Sequence, residues 1–282
     1  MGHWQTSRFR IDLSRPQVMG IVNLTPDSFS GDGQLGSLGG HAAALAHCEQ
    51  LLREGADMLD IGAESSRPGA PPVSLEQELE RLLPVLREAV RLGVPVSVDT
   101  YKAGVMQAAL DLGVDIINDI WALRQPGALE VVSEHGSCGV CLMHMHREPQ
   151  TMQVQPMLGQ ALPQVRAFLH DAAQRLRSAG LAADRIVLDP GVGFGKTVIQ
   201  NLEMLQHQAA LLELGYPLMA AWSRKSSLGV VMSAGQEPAP VTERLPGSLA
   251  AALLAIERGA RIVRVHDVRE TVGALRVWQA AR

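Results

Sequence analysis

Short β-branched apolar runs, each closing on a polar side chain, alternate along this chain with longer stretches of helical periodicity. The runs are Val18–Leu24, Met58–Gly62, Val94–Asp99, Asp115–Ile120, Val140–Met145, Arg185–Asp189, Pro217–Trp222 and Arg261–Val265. Between and after them, the 3.6-residue pattern predicts helices over His41–Arg53, Leu75–Arg91, Gly104–Leu112, Ala128–His135, Leu158–Ser178, Ile199–Leu214, Ser248–Glu257 and Glu270–Gln279. Gly55, Gly93, Gly113, Gly136, Gly180, Gly215 and Gly259 follow helices where a left-handed residue stops the turn. Parallel strands need crossover connections, and helices supply them. Eight such units predict an α/β fold, a (β/α)₈ barrel, with residues 1–282 as one domain and no linker or composition break. Gly31–Gly40, with five glycines, is too long for an ordinary strand-to-helix connection and reads as a mobile loop. Arg67–Pro72 and Gln236–Pro240 read as further loops.

A barrel of this type places its chemistry at the C-terminal ends of the strands. Those ends carry Asn23, Asp60, Asp99, Asn118, His144 with His146, Asp189, Ser223 with Lys225, and Arg264 with His266. Alternation puts Ser97 with Asp99 on one face and Val94, Val96 and Val98 on the other. Ile21 pairs likewise with Asn23, Val187 with Asp189 and Arg264 with His266. A single Asp at a strand end is ordinarily a cap, and that is the reading for Asp60 and Asp119 taken alone. The whole set reads as a binding site. Carboxylates and amides suit a heterocycle rich in N–H groups, and Arg, Lys and His suit phosphate.

Composition excludes other classes. Hydrophobic residues are 46% and charged residues 19% of 282, enough apolar material for a core. The net charge of −4 and the 4% aromatic content argue against nucleic acid as a partner. No apolar run is long enough for a membrane span, and Met1–Pro16 is too polar for a signal peptide. Three cysteines make no disulfide scaffold, so a cytoplasmic location is expected.

Some tempting motifs fail on spacing. Asp189-Pro-Gly-Val-Gly-Phe-Gly-Lys196-Thr197 misses a phosphate loop by one residue, because Pro190 stands where its first glycine is required. It reads instead as a strand-end turn whose glycines let backbone approach a ligand, with Phe194 reaching a planar ring. Cys138 and Cys141 lie three apart in a strand and diverge, so a zinc or redox site with His144 and His146 is set aside for buried structural thiols. Cys48 reads as helix core. Ser223-Arg224-Lys225-Ser226 follows the seventh strand, where barrels frequently bind phosphate or polar groups, with Ser223 and Lys225 on one side and Arg224 on the other.

Met19-Gly-Ile-Val-Asn23-Leu-Thr-Pro-Asp-Ser-Phe-Ser30 and Asp60-Ile-Gly-Ala-Glu-Ser-Ser-Arg-Pro-Gly69 resemble the two opening signatures of the dihydropteroate synthase family of pterin-binding barrels. Ser97–Thr100, Ile117–Ile120, Cys141–Met145, Asp189–Lys196, Ser223–Ser226 and Arg264–Asp267 continue the resemblance in family order over nearly the whole chain. It implies a transferase of folate biosynthesis that joins (7,8-dihydropterin-6-yl)methyl diphosphate to 4-aminobenzoate, with Mg²⁺ as cofactor, in a homodimer formed through the later helices. By the same resemblance, Asp99, Asn118 and Asp189 hold the pterin, Lys225 reaches its ring acceptors, Met143 and Phe194 line the pocket, and Arg264 stacks on the ring. Asn23 ligates Mg²⁺, and Ser66, Arg264 and His266 contact the diphosphate. Phe29, Arg67, Pro68 and Ser223 shape the aminobenzoate site. Asp99, Lys225, Arg264 and His266 are the expected catalytic residues.

The chain departs from the pattern at Ala221, where many relatives have Gly, at Ser66, where Thr is frequent, and in its long first loop. A pterin-binding methyltransferase domain shares the barrel but needs no diphosphate site. A non-catalytic paralogue would predict losses among Asn23, Arg67, Lys225 or His266, and all four are present.

Overall fold

A computed structural model describes residues 2–25, 38–65, 70–148, 151–152, 154–233, 235 and 237–281. Eight parallel strands close into a barrel: β3 (Gln17–Asn23), β4 (Met58–Gly62), β5 (Val96–Asp99), β6 (Ile116–Asp119), β7 (Gly139–Met143), β8 (Ile186–Asp189), β9 (Leu218–Ala220) and β10 (Ala260–Val265). Sequence neighbours pair throughout, and β10 seals the barrel by pairing with both β9 and β3. Helices α1 (Leu38–Glu54), α2 (Leu75–Ala89), α3 (Ala103–Asp111), α4 (Ala128–His135), α5 (Ala161–Ser178), α6 (Val198–Gln206), α7 (Ser226–Met232), α8 (Leu245–Glu257) and α9 (Val268–Ala280) supply the crossovers and the outer layer. The expected fold class is therefore observed.

Parallel strands covered on both faces read as nearly continuous apolar runs, and every residue of β4 and β7 is buried. Outward side chains such as Val96, Val98, Leu142 and Val263 join the helices in one large cluster. Inward side chains form a second cluster of Met19, Met58, Ile116, Cys141, Val187, Met219 and Ile262. Two residues further along the same strands, the same face presents Asp60, Asn118, Met143, Asp189 and Arg264. The apolar floor and the polar mouth are thus consecutive layers of one interior.

The N-terminal segment, for which the sequence predicted no element, carries two short strands. Strands β1 (His3–Gln5) and β2 (Arg10–Asp12) form an antiparallel hairpin that plugs the bottom of the barrel with Trp4, Ile11 and Leu13. Trp4 is fully buried and its indole N–H donates to the Arg185 carbonyl at 2.9 Å. Arg8 clasps the fully buried Asp115 with Nε at 3.0 Å and Nη2 at 2.6 Å. That fork turns a buried charge into a paired one.

Three helical expectations are corrected. Helix α1 starts at Leu38, inside the segment expected to be a loop, while 31–37 lie outside the described residues. The helix expected to run to Leu214 ends as α6 at Gln206, and a 3₁₀ segment, Gln208–Leu214, follows. There the buried Gln208 amide turns aside to donate to Ala255 O at 2.9 Å. Helix α7 was not foreseen: seven residues with an internal Gly229 give too short a period to detect. The seven glycines expected to end helices all take left-handed φ, from +67° at Gly136 to +104° at Gly55.

Candidate active site

At the centre of the mouth lies Asp60, fully buried. Register places it beside Ile21 on β3 and Ser97 on β5. Its Oδ2 accepts from Asn118 Nδ2 at 3.0 Å and from Arg264 Nε at 2.5 Å. Arg264 also donates from Nη2 to Asp99 Oδ2 at 2.7 Å, so one guanidinium spans two carboxylates. The Asp60 Oδ1 and Ser97 Oγ atoms, on neighbouring strands, have no hydrogen-bond partner among the described residues. Burial raises Asp99 above the ordinary carboxylate range, Arg264 pulls it back, and the Asp60 charge pushes it up again. Arg264 stays charged, because the attraction of Asp60 and Asp99 outweighs its loss of hydration.

Beyond β8 the chain turns through Pro190–Gly195. The Asp189 carboxylate accepts from Gly191 N at 2.7 Å, and burial raises its pKa. Phe194 packs with Ile120, Met143, Met145 and Met152. The Lys225 ammonium lies 4.4 Å from the centre of the Phe194 ring. Burial brings Lys225 down to about 8, with Asp189 opposing the shift. Two glycines of this turn also have a packing role that the sequence did not show. A Cβ on Gly191 would sit 1.8 Å from His144 O, and one on Gly195 2.6 Å from His146 Cβ. Both let the turn lie flush on the end of β7.

After β9 the segment Ser223–Lys225 is a turn, not a continued strand. Arg224 takes φ +58° and pairs outward with Asp267 at 2.5 Å. Ser223 and Lys225 are thereby left on the mouth side, as expected, although by a turn rather than by strand alternation. Ser223 Oγ lies 3.0 Å from His266 Nδ1 and accepts from His266 N at 3.1 Å. Burial, with Arg264 and Arg224 nearby, lowers His266 to about 3. The imidazole is neutral, and in the tautomer whose Nδ1 accepts from the Ser223 hydroxyl its Nε2–H is left as a donor.

On the opposite side of the mouth Lys102 bridges Glu64 and Glu78, the latter at 2.5 Å. Thr100 Oγ1 donates to Glu78 at 2.7 Å and Tyr101 OH to Glu64 at 2.8 Å. A cavity of about 280 Å³ opens here beside Asp99, walled by Glu64, Tyr101, Ile120 and Trp121.

The structure thus brings together Asp99, Asn118, Met143, Asp189, Phe194, Ser223, Lys225, Arg264 and His266. Asn23 ends β3, half-buried, at the same rim. Phe29, Ser66, Arg67 and Pro68 lie outside the described residues. His144 is a correction: Met143 faces the mouth, so its neighbour turns outward against Phe168 of α5, ring centroids 4.9 Å apart. Cys138 and Cys141 do diverge, into the outer and inner clusters respectively. Sequence reasoning placed Asp60 in the strand-end set but gave it no role, because a lone strand-end Asp resembles a cap. Asp119 is one, accepting from Trp121 N and Leu123 N at 2.7 Å each. Only the convergence of β6 and β10 on Asp60 separates the two. Lys196 and Lys102 were missed, and position in sequence offered no signal for either.

A closed barrel whose mouth sets buried carboxylates and an amide against Arg, Lys and a neutral His defines an enzyme for a flat, N–H-rich heterocycle carrying an anionic group. Residues 19–266 match the family model described as pterin binding enzyme. The chain is 48% identical to dihydropteroate synthase of Neisseria meningitidis serogroup B, over 98% of this chain and 96% of that one. Among solved structures, Burkholderia cenocepacia dihydropteroate synthase complexed with 7,8-dihydropteroate is 49% identical with a TM-score of 0.87, covering 100% and 96%. The Xanthomonas albilineans enzyme with 4-aminobenzoic acid is 46% identical with a TM-score of 0.87, covering 96% and 95%. The chain belongs to the pterin-binding enzyme family and, within it, to the dihydropteroate synthases, which are transferases.

Proposed function

We propose that this mouth condenses (7,8-dihydropterin-6-yl)methyl diphosphate with 4-aminobenzoate, giving 7,8-dihydropteroate and diphosphate. The observation that carries the reading is the buried set Asp60, Asn118 and Asp189, with the half-buried Asp99, facing Lys225 and Arg264 inside one barrel. Asp99, Asn118 and Asp189 accept and donate along the edge of the pterin, which fixes its orientation. Lys225 donates to the ring acceptors, while Phe194 and Met143 wall the pocket. The Arg264 guanidinium, which bridges Asp60 and Asp99, turns one face to the ring and its remaining donors to the diphosphate. His266 donates to the diphosphate through Nε2–H as a neutral group. Ser66 joins it there, and Phe29, Arg67, Pro68 and Ser223 bound the aminobenzoate side.

In the reaction the carbon–oxygen bond between methylene and diphosphate breaks, and the amine nitrogen bonds to that carbon. The nitrogen then releases one proton to water or the departing diphosphate. The aryl amine is neutral at pH 7, so no strong general base is needed. Asp99 offsets the positive charge that develops on the methylene, and the cations offset the negative charge leaving with diphosphate.

Among the described residues no group of three His, Cys, Asp or Glu could hold a metal alone. The donor set still suits Mg²⁺, which is commonly held by one or two protein oxygens together with phosphate oxygens and water. The Asn23 amide oxygen is the protein ligand in this reading. When bound, the ion neutralises the leaving diphosphate.

Homodimerisation through the later helices is supported by Val230, Val231 and Met232 on α7 and Leu254 on α8, which are 38–49% exposed. No helix among the described residues is long and apolar enough to cross a membrane. Cys48, Cys138 and Cys141 are buried free thiols, and the reducing cytoplasm suits them.

The test is dihydropteroate formation from the two substrates with Mg²⁺, after chelation, and with Asp99→Asn. Product from the wild type that falls at least 100-fold in the variant (about 2.7 kcal/mol) and vanishes on chelation supports the reading. Tight pterin binding without product overturns it in favour of a non-catalytic paralogue.

A further inference from the structure

Lys196 is 2% exposed, and no carboxylate of the described residues pairs with it. Its ammonium lies 2.8 Å from Gly191 O, 3.2 Å from Phe194 O, 2.8 Å from His144 Nδ1 and 3.5 Å from His144 O. Two of these acceptors are backbone carbonyls of the turn after β8, and the other two belong to His144, which follows β7 on the outer face. His144 is held neutral, lowered to about 2 by burial and by Lys196 itself, so its Nδ1 is free to accept. A second clasp lies behind the first: Asn201 Oδ1 accepts from Gly193 N at 3.0 Å, and its Nδ2 donates to Ser227 Oγ at 3.1 Å. The turn so fastened carries Phe194, on whose ring Lys225 rests.

We infer that Lys196 is a positioning residue for the pterin half of the reaction, acting through Phe194 and so through Lys225, with no contact to either substrate. This rests on the reading that the pterin sits against Phe194. A buried cation without a counter-charge is costly, and burial brings this one down to about 7 even though Asp189 opposes the shift. A hydrophobic residue would pack there at less cost, but it would leave Gly191 O only the Phe194 N–H at 3.2 Å and Phe194 O only the His146 N–H at 3.5 Å, so the turn would be less firmly held. In the proposed reading aminobenzoate meets Ser223 rather than Phe194, so its KM is expected to be indifferent to the clasp.

The test is a double-mutant cycle of Lys196→Met and Phe194→Ala, with KM for each substrate and kcat measured separately. Lys196→Met is expected to raise the KM for the dihydropterin diphosphate at least tenfold. The KM for 4-aminobenzoate and kcat should stay within about twofold, a split that general loosening of the fold would not give. Combined with Phe194→Ala it should add less than about threefold to the Phe194→Ala effect, because both act through one ring. Multiplicative effects, or equal losses in both KM values, overturn the inference. Should Lys196→Met not fold, His144→Leu removes the one side-chain acceptor, and a smaller rise of about threefold with the same split is expected; an unchanged pterin KM in that folded variant overturns the inference too. A wild type without saturable dependence on the dihydropterin diphosphate would instead defeat the proposed function.

Discussion

Asp60→Asn separates charge from shape at the centre of the site. One oxygen of Asp60, Oδ2, accepts both the Arg264 bond at 2.5 Å and the Asn118 bond at 3.0 Å. An asparagine can keep both by placing its carbonyl there. Its NH₂ then falls at the unpartnered Oδ1 position, next to the strand whose Ser97 Oγ also has no partner among the described residues. What is lost is the negative charge. Hydrogen bonds to charged groups contribute about 1.5–3 kcal/mol against about 1 for neutral ones, so the two bonds together lose about 1–4 kcal/mol. Carried into the loaded site, that is a drop of about 5- to 1,000-fold in kcat/KM for the dihydropterin diphosphate. A second consequence has a definite sign. The Asp60 charge raises the pKa of Asp99, so its removal lowers that pKa and leaves Arg264 to Asp99 alone. The acid limb of the kcat/KM profile, which reports the free enzyme, should move to lower pH. The basic limb should stay, since Lys225 responds to Asp189, Arg264 and Asp99 rather than to Asp60. Steady-state rates from pH 5 to 9 measure both. An unchanged kcat/KM, or an acid limb that stays or rises, would refute the reasoning.

Lys225 loses its proton at about 8 in the free enzyme, so kcat/KM for the pterin substrate should decline above that pH; in Lys225→Met this limb should be absent. Trp4→Ala empties the floor of the barrel and should cost about 3–5 kcal/mol in denaturant unfolding. Both KM values should be unchanged, because the floor and the mouth are separate layers. His144 takes a proton near 6.5 when unfolded but only at about 2 when folded, so its contribution is complete above 6.5 and lost as pH falls. Stability should drop by about 1.4 kcal/mol per pH unit below 6.5 from this group, and His144→Leu should flatten the slope by that amount.

The barrel was legible because strands buried on both faces leave continuous apolar runs and the helices between them end on glycine. The hairpin was not, since three-residue strands with single apolar positions at Trp4 and Ile11 carry no period to detect. Most of the mouth was legible as strand-end polarity. Its errors came from judging residues one at a time. His144 would have been assigned outward had alternation been run on from Cys141 and Met143. Asp60 and Asp119 look alike in sequence, and what distinguishes them is a guanidinium arriving from β10, some 204 positions away. Lys196 was hidden for a related reason: its partners are backbone carbonyls, which no side-chain pattern records.

The most direct test of the account is the affinity of the dihydropterin diphosphate for the free enzyme, measured by calorimetry with Mg²⁺ and without 4-aminobenzoate, for the wild type and for Asp189→Asn. The account predicts saturable binding at one site per chain, weakened about 10- to 150-fold by the loss of one charged hydrogen-bonding carboxylate. Equal affinity in the two proteins would place the pterin somewhere other than this mouth.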